Sequence, residues 1–416
     1  MSKLNFGNSE GLLDRALAII PNGTQTFSKS QTMYARGVSP FYMQRAKGSH
    51  AWDVDGNEFI DWVSGLGAII LGHHDPDVDA AVINQLDEGV IFSLPHPIEI
   101  EVSELLCEII PSAEMVRFGK NGSDVTSAAV RLARAYTNRD HIACCGYHGW
   151  QDWYIGITPR NLGVPSAIRS LTHPFEYGNI ESLDRIFKDH PNQVACVIME
   201  AMNSQWPPEG WLNEIIELTH KHNALFILDE MLTGFRFGIT GAQGYFNIDP
   251  DLSCFGKGIA NGFPLSALVG KAEVMRLIDK IHFSGTYGGD CIALAAAKAT
   301  ITKMQNTPVA LYLYVTGETL QKSLKDYLKF CEYDIRVSGH PAWTHLLFPS
   351  DDIKWLFMQE VIQEGILTFG THLVTYAHGM ADLVKTCRVY QKVFATLHEK
   401  KLEAKPVISN FKIRWF

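Results

Sequence analysis

Lys257 and Asp229 are the two residues of this chain whose surroundings best suit covalent chemistry. Lys257 follows the mostly apolar run at residues 252–255, and a loop with glycine and proline comes after it. Asp229 ends a second apolar run, which starts at residue 224. If both runs are neighbouring strands, an amine and a carboxylate stand at adjacent strand ends. A pyridoxal phosphate (PLP) enzyme needs this pair, because the amine condenses with the cofactor aldehyde and the carboxylate keeps a proton on the pyridine nitrogen.

A glycine-containing turn at residues 118–126 links a predicted strand to a predicted helix. Gly122 lets the backbone turn tightly, and Ser123 adds a hydroxyl and an amide. The free amides and the dipole of a helix start favour a bound dianion. We therefore predict that Asn121, Gly122 and Ser123 bind the cofactor phosphate. An ordinary helix cap is the alternative interpretation, and the spacing of lysine and glycine does not fit a P-loop.

Five short segments together resemble the class III aminotransferase family of fold-type I PLP enzymes. The resemblance is greatest to its glutamate-1-semialdehyde 2,1-aminomutase-like branch, and it extends from about Arg45 to about Leu397. It implies a large PLP-binding domain with a mainly parallel seven-stranded sheet, joined to a smaller α+β domain. The segments lie at residues 52–57, 121–124, 147–149, 229–236 and 255–257.

The resemblance also implies roles around the cofactor ring. Tyr147 matches the aromatic residue that stacks on one ring face, and Met231 stands where the family usually has a valine on the other face. Glu200 matches an acidic residue near the ring, although a structural ion pair is an equally fair interpretation. Lys257 would also move a proton between the substrate carbon and the cofactor carbon, which requires a neutral amine.

A glycine-rich stretch near residue 285 implies a second chain at the active site. In relatives, a Gly-Thr pair after the lysine loop reaches the phosphate of the neighbouring subunit. Gly285 and Thr286 match that pair, so the expected partner is a second copy of this chain in a homodimer. The alternative is a plain glycine-rich loop before the next helix.

Short apolar runs alternate with helical periods from residue 116 to about residue 301. We predict strands over 116–118, 141–145, 194–200, 224–229, 252–255 and 266–270, and helices over 123–136, 212–222 and 292–304. This alternation indicates an α/β fold, with helices on both faces of a mainly parallel sheet. Ligands of such sheets collect beyond the carboxyl ends of the strands. Asp229, Lys257 and the Asn121–Gly122 turn are all expected there.

The expected domains are an N-terminal arm with part of the small domain over 1–60, the large PLP-binding domain over 61–306, and the C-terminal small domain over 307–416. A chain of 416 residues is long for one compact core, which favours this division. Residues 50–61 predict a hairpin that turns at Asp55 and Gly56. A calcium loop is the weaker alternative, because the glutamate and glycine that it requires are missing.

Bulk composition excludes several classes of protein. A net charge of −9 argues against a general nucleic-acid binder, although a local basic pocket stays compatible with it. The N-terminus shows no apolar secretory segment, and no stretch is long and apolar enough to span a membrane. The eight cysteines show no metal spacing, so we expect reduced cysteines, no metal and a cytoplasmic protein.

The predicted activity is amino-group transfer between a small amine or amino acid and an oxo substrate, phosphorylated and sugar-derived compounds included. The alternative is an intramolecular transfer, that of a glutamate-1-semialdehyde 2,1-aminomutase. Leu232 favours that branch, because many class III aminotransferases carry glutamine there. The polar segment 24–30 would lie near the pocket mouth if the resemblance holds. A decarboxylase or epimerase could share this fold, and a binding module could share it too, although such a module would be free to lose Lys257 or Asp229.

Overall fold

The structure is a computed structural model that describes residues 4–407. Contacts divide the chain into two units. The sheet unit runs from Pro76 to Ala310, and the terminal unit combines the residues up to Asp75 with those from Leu311 onward. The expected domain boundaries near 60 and 306 stay a prediction. Residues 1–3 of the expected arm and 408–416 of the expected C-terminal domain lie outside the described part of the chain.

The described strands form three sheets of four, seven and three strands. In chain order they are β1 Met43–Lys47, β2 His50–Asp53, β3 Glu58–Asp61, β4 Met115–Gly119, β5 His141–Cys145, β6 Thr172–Pro174, β7 Val194–Met199, β8 Leu225–Glu230, β9 Leu252–Phe255, β10 Ser266–Gly270, β11 Arg336–Ser338, β12 Trp343–Leu347, β13 Ile366–Leu367 and β14 Thr371–Leu373.

The described α-helices range from single turns to twenty residues. In chain order they are α1 Gly7–Leu17, α2 Pro76–Glu88, α3 Pro97–Ile109, α4 Gly122–Thr137, α5 Asp152–Ile155, α6 Ser166–Arg169, α7 Ile180–Asp189, α8 Trp211–Lys221, α9 Gly241–Phe246, α10 Ala272–Met275, α11 Ile278–Ile281, α12 Cys291–Asn306, α13 Val309–Leu328, α14 Asp351–Gln363 and α15 Met380–Thr396.

The sheet unit contains the seven-stranded sheet, in the order β4-β10-β9-β8-β7-β5-β6. The strands from β6 to β9 pair in parallel, and β10 pairs antiparallel with both β9 and β4. The prediction of a mainly parallel seven-stranded α/β sheet is confirmed. The strand that sequence patterns did not find is β6.

Helix cover explains the sequence of the central strands. Every residue of β7 and β8 is buried, as expected for a parallel sheet covered on both faces. Helix α4 packs on the sheet through small and branched residues such as Val125, Ala129 and Leu132, which join one buried core with Ile198 and Ile227. Close packing of a helix on a pleated sheet favours such short side chains, so α4 is held firmly in place.

The carboxyl ends of β4, β5, β7, β8 and β9 meet at one edge of the sheet. Pairing through the antiparallel β10 leaves β4 running in the same direction as β9. The residues that follow these strands are therefore neighbours, although they lie far apart in the chain. This edge holds Asp229, Lys257 and the Asn121–Gly122 turn.

The terminal unit contains the two smaller sheets, β1-β2-β3-β13 and β11-β12-β14. Strand β13 pairs in parallel with β3, with Ile366 opposite Ile60, so early and late residues share one sheet. The predicted hairpin is present as β2 and β3. Its turn is closed by Asp53, whose Oδ1 accepts hydrogen bonds from the amides of Asp55 and Asn57.

No helix within residues 4–407 is long and apolar enough to cross a membrane.

Candidate active site

Lys257 begins a 3-10 turn, Lys257–Ala260, directly after β9 and Gly256. Its φ of 46° lies in the left-handed region, which a side chain with a Cβ adopts at a cost. Such backbone strain is typical of functional sites, where the surrounding structure holds it in place. Lys257 is accessible to solvent. The surrounding protein still removes enough water from its amine to lower the pKa of that group.

Asp229 lies in β8 and is almost fully buried. Its Oδ2 lies 2.8 Å from Nδ1 of His148, and its Oδ1 accepts a 2.9 Å hydrogen bond from the amide of Met231. His148 is buried as well, and its Nε2 lies 3.1 Å from the carbonyl oxygen of Cys145. Because a carbonyl only accepts, that Nε2 must carry a hydrogen. His148 and Asp229 therefore share one further proton between Nδ1 and Oδ2.

Charges and burial around Lys257 oppose one another. Burial lowers the pKa of the Lys257 amine, the charges of Glu200 and Asp229 raise it, and the charge of Arg236 lowers it; the net direction is down. Burial and the charge of Asp229 raise the pKa of Glu200, against the effects of His148 and Lys257. The site therefore favours a neutral amine more than water does.

Tyr147 follows β5 and keeps 36% of its surface exposed. Its ring packs edge to face against Tyr154 at a centroid distance of 5.6 Å. Its amide lies at 3.5 Å from Oε2 of Glu200, at the limit of a hydrogen bond. Gly146 has φ of 107°, and an added Cβ there would lie 2.6 Å from the same oxygen. Glycine therefore lets the turn after β5 approach the Glu200 carboxylate.

The predicted phosphate turn stands at the start of α4. Oδ2 of Asp124 accepts hydrogen bonds from the amides of Lys120 and Asn121. Within residues 4–407, no hydrogen bond is found for the amides of Gly122 and Ser123. Two backbone donors at the positive end of a sixteen-residue helix are thus free for an anion.

Two hydrogen bonds join the turn after β5 to the start of α4. The amide of Trp150 donates to Oγ of Ser123 at 3.2 Å, and Oγ1 of Thr126 donates to the carbonyl of His148 at 2.9 Å. An added Cβ at Gly149 would lie 2.1 Å from Oγ of Ser123, and its φ is 112°. Only glycine fits there, so the turn after β5 and the start of α4 are packed directly together.

Met231 lies between the phosphate turn and the lysine loop. A Cβ added at Gly122 would lie 2.8 Å from Sδ of Met231, and a Cβ added at Gly256 would lie 2.7 Å from the same atom. Met231 lies just beyond β8, which ends at Glu230. Its position therefore comes from the turn after β8, and the two glycines leave room for a long side chain where the family usually has valine.

Lys120 supports the phosphate turn from outside. Its Nζ lies 2.7 Å from Oδ2 of Asp290 and 3.1 Å from the carbonyl oxygen of Pro264. Oδ1 of Asp290 accepts from the amide of Ile292 at the start of α12. One side chain thus ties the turn before α4 to the loop after Lys257 and to the start of α12.

Gly285 and Thr286 lie in an exposed loop before α12. In the described part of the chain, no hydrogen bond joins either residue to Lys257 or Asp229. The loop turns back at the 3.0 Å bond from the Gly288 amide to the Gly285 carbonyl. The structure of one chain thus leaves this pair outside the cluster that Lys257, Asp229, Glu200 and the turn of Gly122 and Ser123 form.

Two residues of the site received no firm role from sequence. His148 stood beside Tyr147, and its side chain is now the partner of Asp229. Arg236 is 1% exposed, burial lowers its pKa to about 10, and its charge acts on Lys257. A fully buried arginine near a lysine gives no pattern in sequence. A histidine next to a predicted ring-stacking residue was the one available signal for His148.

Comparison with known proteins decides the family. The family model "Aminotransferase class-III" matches residues 33–384. The chain belongs to the class-III aminotransferase family. It is 32% identical to the glutamate-1-semialdehyde 2,1-aminomutase of Desulforamulus reducens, over 92% of this chain and 96% of that protein. It is 30% identical to the 3-aminobutyryl-CoA aminotransferase of Cloacimonas acidaminovorans, over 94% and 98%.

A solved structure of this fold contains PLP. The FumI protein of Sphingopyxis sp. MTA144, solved in a PLP form, superposes with a TM-score of 0.90 and 25% identity, over 96% of this chain and 99% of that chain. The predictions of a class III aminotransferase, of the fold-type I PLP fold and of PLP as the cofactor are confirmed. This class-III chain is a PLP-dependent enzyme.

The residues present fit the cofactor. The donor set combines a primary amine, a buried carboxylate fixed by two hydrogen bonds, and two free amides at a helix start. These match an aldehyde, a ring nitrogen and a phosphate, respectively.

Proposed function

We propose that Lys257 and Asp229 are the catalytic residues of a PLP-dependent aminotransferase. The observation that carries the proposal is the amine of Lys257, with a lowered pKa, beside a carboxylate that cannot turn away. Bound PLP supplies an aldehyde that a primary amine attacks and a ring that takes up the electron pair of a breaking C–H bond. Lys257 supplies the amine that holds the cofactor.

Lys257 then acts as the base and acid of the proton transfer. A neutral amine can take a proton from a substrate carbon, and the ammonium can return it. Asp229 would hold a proton on the ring nitrogen of the bound cofactor. His148 prevents Asp229 from rotating, because it holds Oδ2 while the Met231 amide holds Oδ1. Glu200, with a raised pKa, lets the site hold two carboxyl groups without two full charges.

The amides of Gly122 and Ser123 are proposed to hold the phosphate. The hydroxyl of Ser123 accepts from Trp150, and its own hydrogen stays free to donate to the same anion. The Asn121 side chain is exposed and can add a further donor. Tyr147 and Met231 are proposed to pack against opposite ring faces, because one follows β5 and the other borders Gly122 and Gly256.

The proposed reaction moves an amino group from a small amine or amino acid to an oxo substrate, with phosphorylated and sugar-derived compounds as the class to test first. The relative named as a 3-aminobutyryl-CoA aminotransferase supports intermolecular transfer. The second candidate is aminomutase activity, which the relative named for it supports. Leu232 favours this second candidate, because it is buried and apolar where many aminotransferases carry glutamine.

One experiment tests both the lysine and the reaction. The purified enzyme is screened against pairs of amino donors and oxo acceptors while the cofactor absorbance is followed, and glutamate 1-semialdehyde is included as a single substrate. Lys257→Ala should abolish turnover, and borohydride should no longer fix the cofactor to the peptide that carries position 257. Lys221→Ala, which changes an exposed lysine at the end of α8, is the matched control. Full turnover by Lys257→Ala contradicts the proposal.

We also propose that two copies of this chain complete each active site. Large apolar side chains are exposed on α2, on α3 and between them, which is unusual for a face that meets only water. They include Ile83, Leu86, Phe92, Leu94 and Ile100. If this face is covered by a second copy, Thr286 and Gly285 are free to reach the phosphate of the neighbouring chain.

A mixing experiment tests this sharing of sites. Thr286→Glu should repel the phosphate, and Lys257→Ala removes the amine, so each variant alone is inactive. Co-expression of the two variants with different tags gives mixed dimers, in which one site keeps both wild-type residues. About a quarter of wild-type activity should return, since half of the dimers are mixed and each has one intact site. No return of activity means that Thr286 does not act on its neighbour.

We infer a cytoplasmic location from the cysteines. All eight lie within the described part of the chain, and all are free. Burial raises the pKa of the Cys144, Cys145 and Cys196 thiols above their ordinary value, which keeps them unreactive. Thiols of this kind are typical of proteins in a reducing compartment. Fractionation of the producing cells, followed by detection of the chain, tests this inference.

A further inference from the structure

Three histidines from separate segments meet at the edge of the sheet unit. His141 is the first residue of β5, His173 is the middle residue of β6, and His190 directly follows α7. One nitrogen of each lies within 4.8 Å of those of the other two. Their positions in sequence give no metal-ligand spacing, and the expectation of no metal rested on the cysteines alone. The fold alone brings them together.

Two of the histidine rings are hydrogen-bonded to each other, and the third is stacked on them. Nδ1 of His141 and Nε2 of His173 are 2.7 Å apart, and the two ring planes differ by 8° with centroids 5.0 Å apart. The two rings therefore lie edge to edge in nearly one plane, with one proton between their nitrogens. The centroid of His190 lies 4.4 Å from one ring and 4.1 Å from the other, tilted by 27° and 28°. His190 thus lies over the hydrogen-bonded pair.

Backbone hydrogen bonds fix the frame that carries these rings. The amide of Gln193 donates to the carbonyl of His190, and the amide of His141 donates to the carbonyl of Gln193. Strand β6 pairs with β5 through Ala143 and His173. The main chain at all three histidines is therefore held, while each ring can still turn about its terminal torsion, which has a broad minimum.

We propose that His141, His173 and His190 form a binding site for a divalent transition-metal ion, with Zn²⁺ as the test ion. Imidazole nitrogen is a preferred ligand of Zn²⁺, Ni²⁺ and Cu²⁺. Tetrahedral Zn²⁺ with bonds of about 2.0–2.1 Å separates its ligand nitrogens by roughly 3.3 Å. The His141 and His173 nitrogens must part by roughly 0.6 Å for this, and His190 must turn one nitrogen towards them.

Local electrostatics favours neutral imidazoles at His141 and His173. Burial and the neighbouring histidines lower the pKa of His173 to about 4, and burial lowers the pKa of His141. Neutral imidazole is the form that binds metals. The charges of Asp140 and Asp189 act on the cluster in the opposite direction and would favour a cation in it.

The position of the cluster points to a structural role. His141 starts β5, whereas Tyr147 and His148 follow its end, so the cluster is about 13 Å or more along the strand from the active-site edge. Strand β6 has three residues, ends in Pro174 and lies at the edge of the sheet. A bound ion would fasten this short strand and the end of α7 to β5.

Calorimetric titration of the PLP-loaded enzyme with ZnCl₂, in a buffer that does not bind metals, tests the site. We expect one Zn²⁺ per chain with micromolar affinity and a higher melting temperature of the metal-loaded protein. His173→Gln and His190→Gln should each weaken binding at least tenfold. His398→Gln, which removes a histidine of the terminal unit, should leave binding unchanged.

Two results would overturn the proposal. One is Zn²⁺ binding that neither His173→Gln nor His190→Gln changes, because the ion would then lie elsewhere on the surface. The other is the absence of stoichiometric binding to the wild type. If a variant does not fold, X-ray absorption of the Zn²⁺-loaded wild type gives a separate answer. Three imidazole ligands are expected, and fewer than three contradict the three-histidine site.

Discussion

Replacement of Gly122 by alanine should crowd Met231, and a second replacement should relieve the crowding. An added Cβ at Gly122 would lie 2.8 Å from Sδ, 3.3 Å from Cγ and 3.6 Å from Cε of Met231. Real Cβ atoms essentially never come closer than 3.0 Å to another heavy atom, so the side chain of Met231 must move. Met231→Val removes Sδ and Cε and leaves the residue that the family usually carries.

The magnitudes allow a clear test. Overpacking of this kind costs about 1–3 kcal/mol of unfolding free energy, and alanine in a helix recovers about 0.5–1 kcal/mol relative to glycine. Gly122→Ala should therefore destabilise the enzyme by about 1 kcal/mol. The double variant should be more stable than the sum of the single effects by about 1–2 kcal/mol. Gly122→Ala should also weaken the affinity for PLP, because the displaced turn moves the Gly122 amide. The double variant should regain part of that affinity.

Urea unfolding of the wild type, the two single variants and the double variant measures the interaction free energy between positions 122 and 231. Equilibrium titration with PLP measures cofactor affinity. Gly11→Ala is the matched control, because its added Cβ would meet no atom within 4 Å. That control should be neutral or slightly stabilising in helix α1. Single effects that add to within about 0.5 kcal/mol would refute the contact between Met231 and the phosphate turn.

Three further predictions concern other parts of the structure. His148→Gln should lower kcat by roughly 10–100-fold with PLP still bound, because loss of a hydrogen-bond partner for the buried Asp229 costs about 1–3 kcal/mol; unchanged kcat contradicts its positioning role. Lys120→Met should weaken PLP affinity by about tenfold, because the ion pair between Lys120 and Asp290 holds the phosphate turn, whereas Lys120→Arg should keep the affinity of the wild type. Cofactor titration measures both, and equal affinities of the two variants contradict this prediction. Below pH 6.5 the free energy of unfolding should fall by up to about 4 kcal/mol per pH unit, because the unfolded chain binds protons that three buried histidines do not bind in the folded state. A urea midpoint that does not change between pH 7.5 and pH 5.5 would contradict this prediction. The pKa values of these histidines are lowered by burial, to about 3 for His345 and His372 and about 4 for His378.

The sign of the acid effect follows from the direction of these shifts. A histidine whose pKa in the folded state lies below 6.5 stabilises the fold fully at higher pH, and this contribution is lost as the pH falls through 6.5 towards the folded value. All three side chains lie in the terminal unit. Acid should therefore unfold that unit's β12, β14 and α15 before it affects the sheet unit, which carries Lys257 and Asp229.

Local patterns predicted the sheet because they have a physical cause within a few residues. The fully buried β7 and β8 read as apolar runs, and Lys257 and Asp229 follow from the ends of such runs. Strand β6 escaped because three residues that end in proline give no period of two. Its place depends on pairing with β5, which is not visible in its own sequence.

Contacts between distant segments explain the rest of the site. The bond between His148 and Asp229 joins residues that are 81 positions apart, and the contact between Met231 and Gly122 depends on where β8 ends. Lys120 was recognised only as a residue that does not fit a P-loop, and its partner Asp290 lies 170 positions away. Side-chain partners of this kind are set by the order of strands in the sheet, which local sequence patterns do not specify.

The single reversed strand β10 has a mechanical consequence for Lys257. Since β9 and β10 are antiparallel neighbours, Lys257 lies in the hairpin loop between them, and both ends of this loop are strands of the same sheet. At the start of β10, the hydroxyl of Ser266 donates to the carbonyl of Asn121, which connects the loop to the start of α4. In the role proposed for Lys257, the four-carbon side chain can rotate while the backbone of the loop stays in place, so substrates would be exchanged without a rearrangement of the loop.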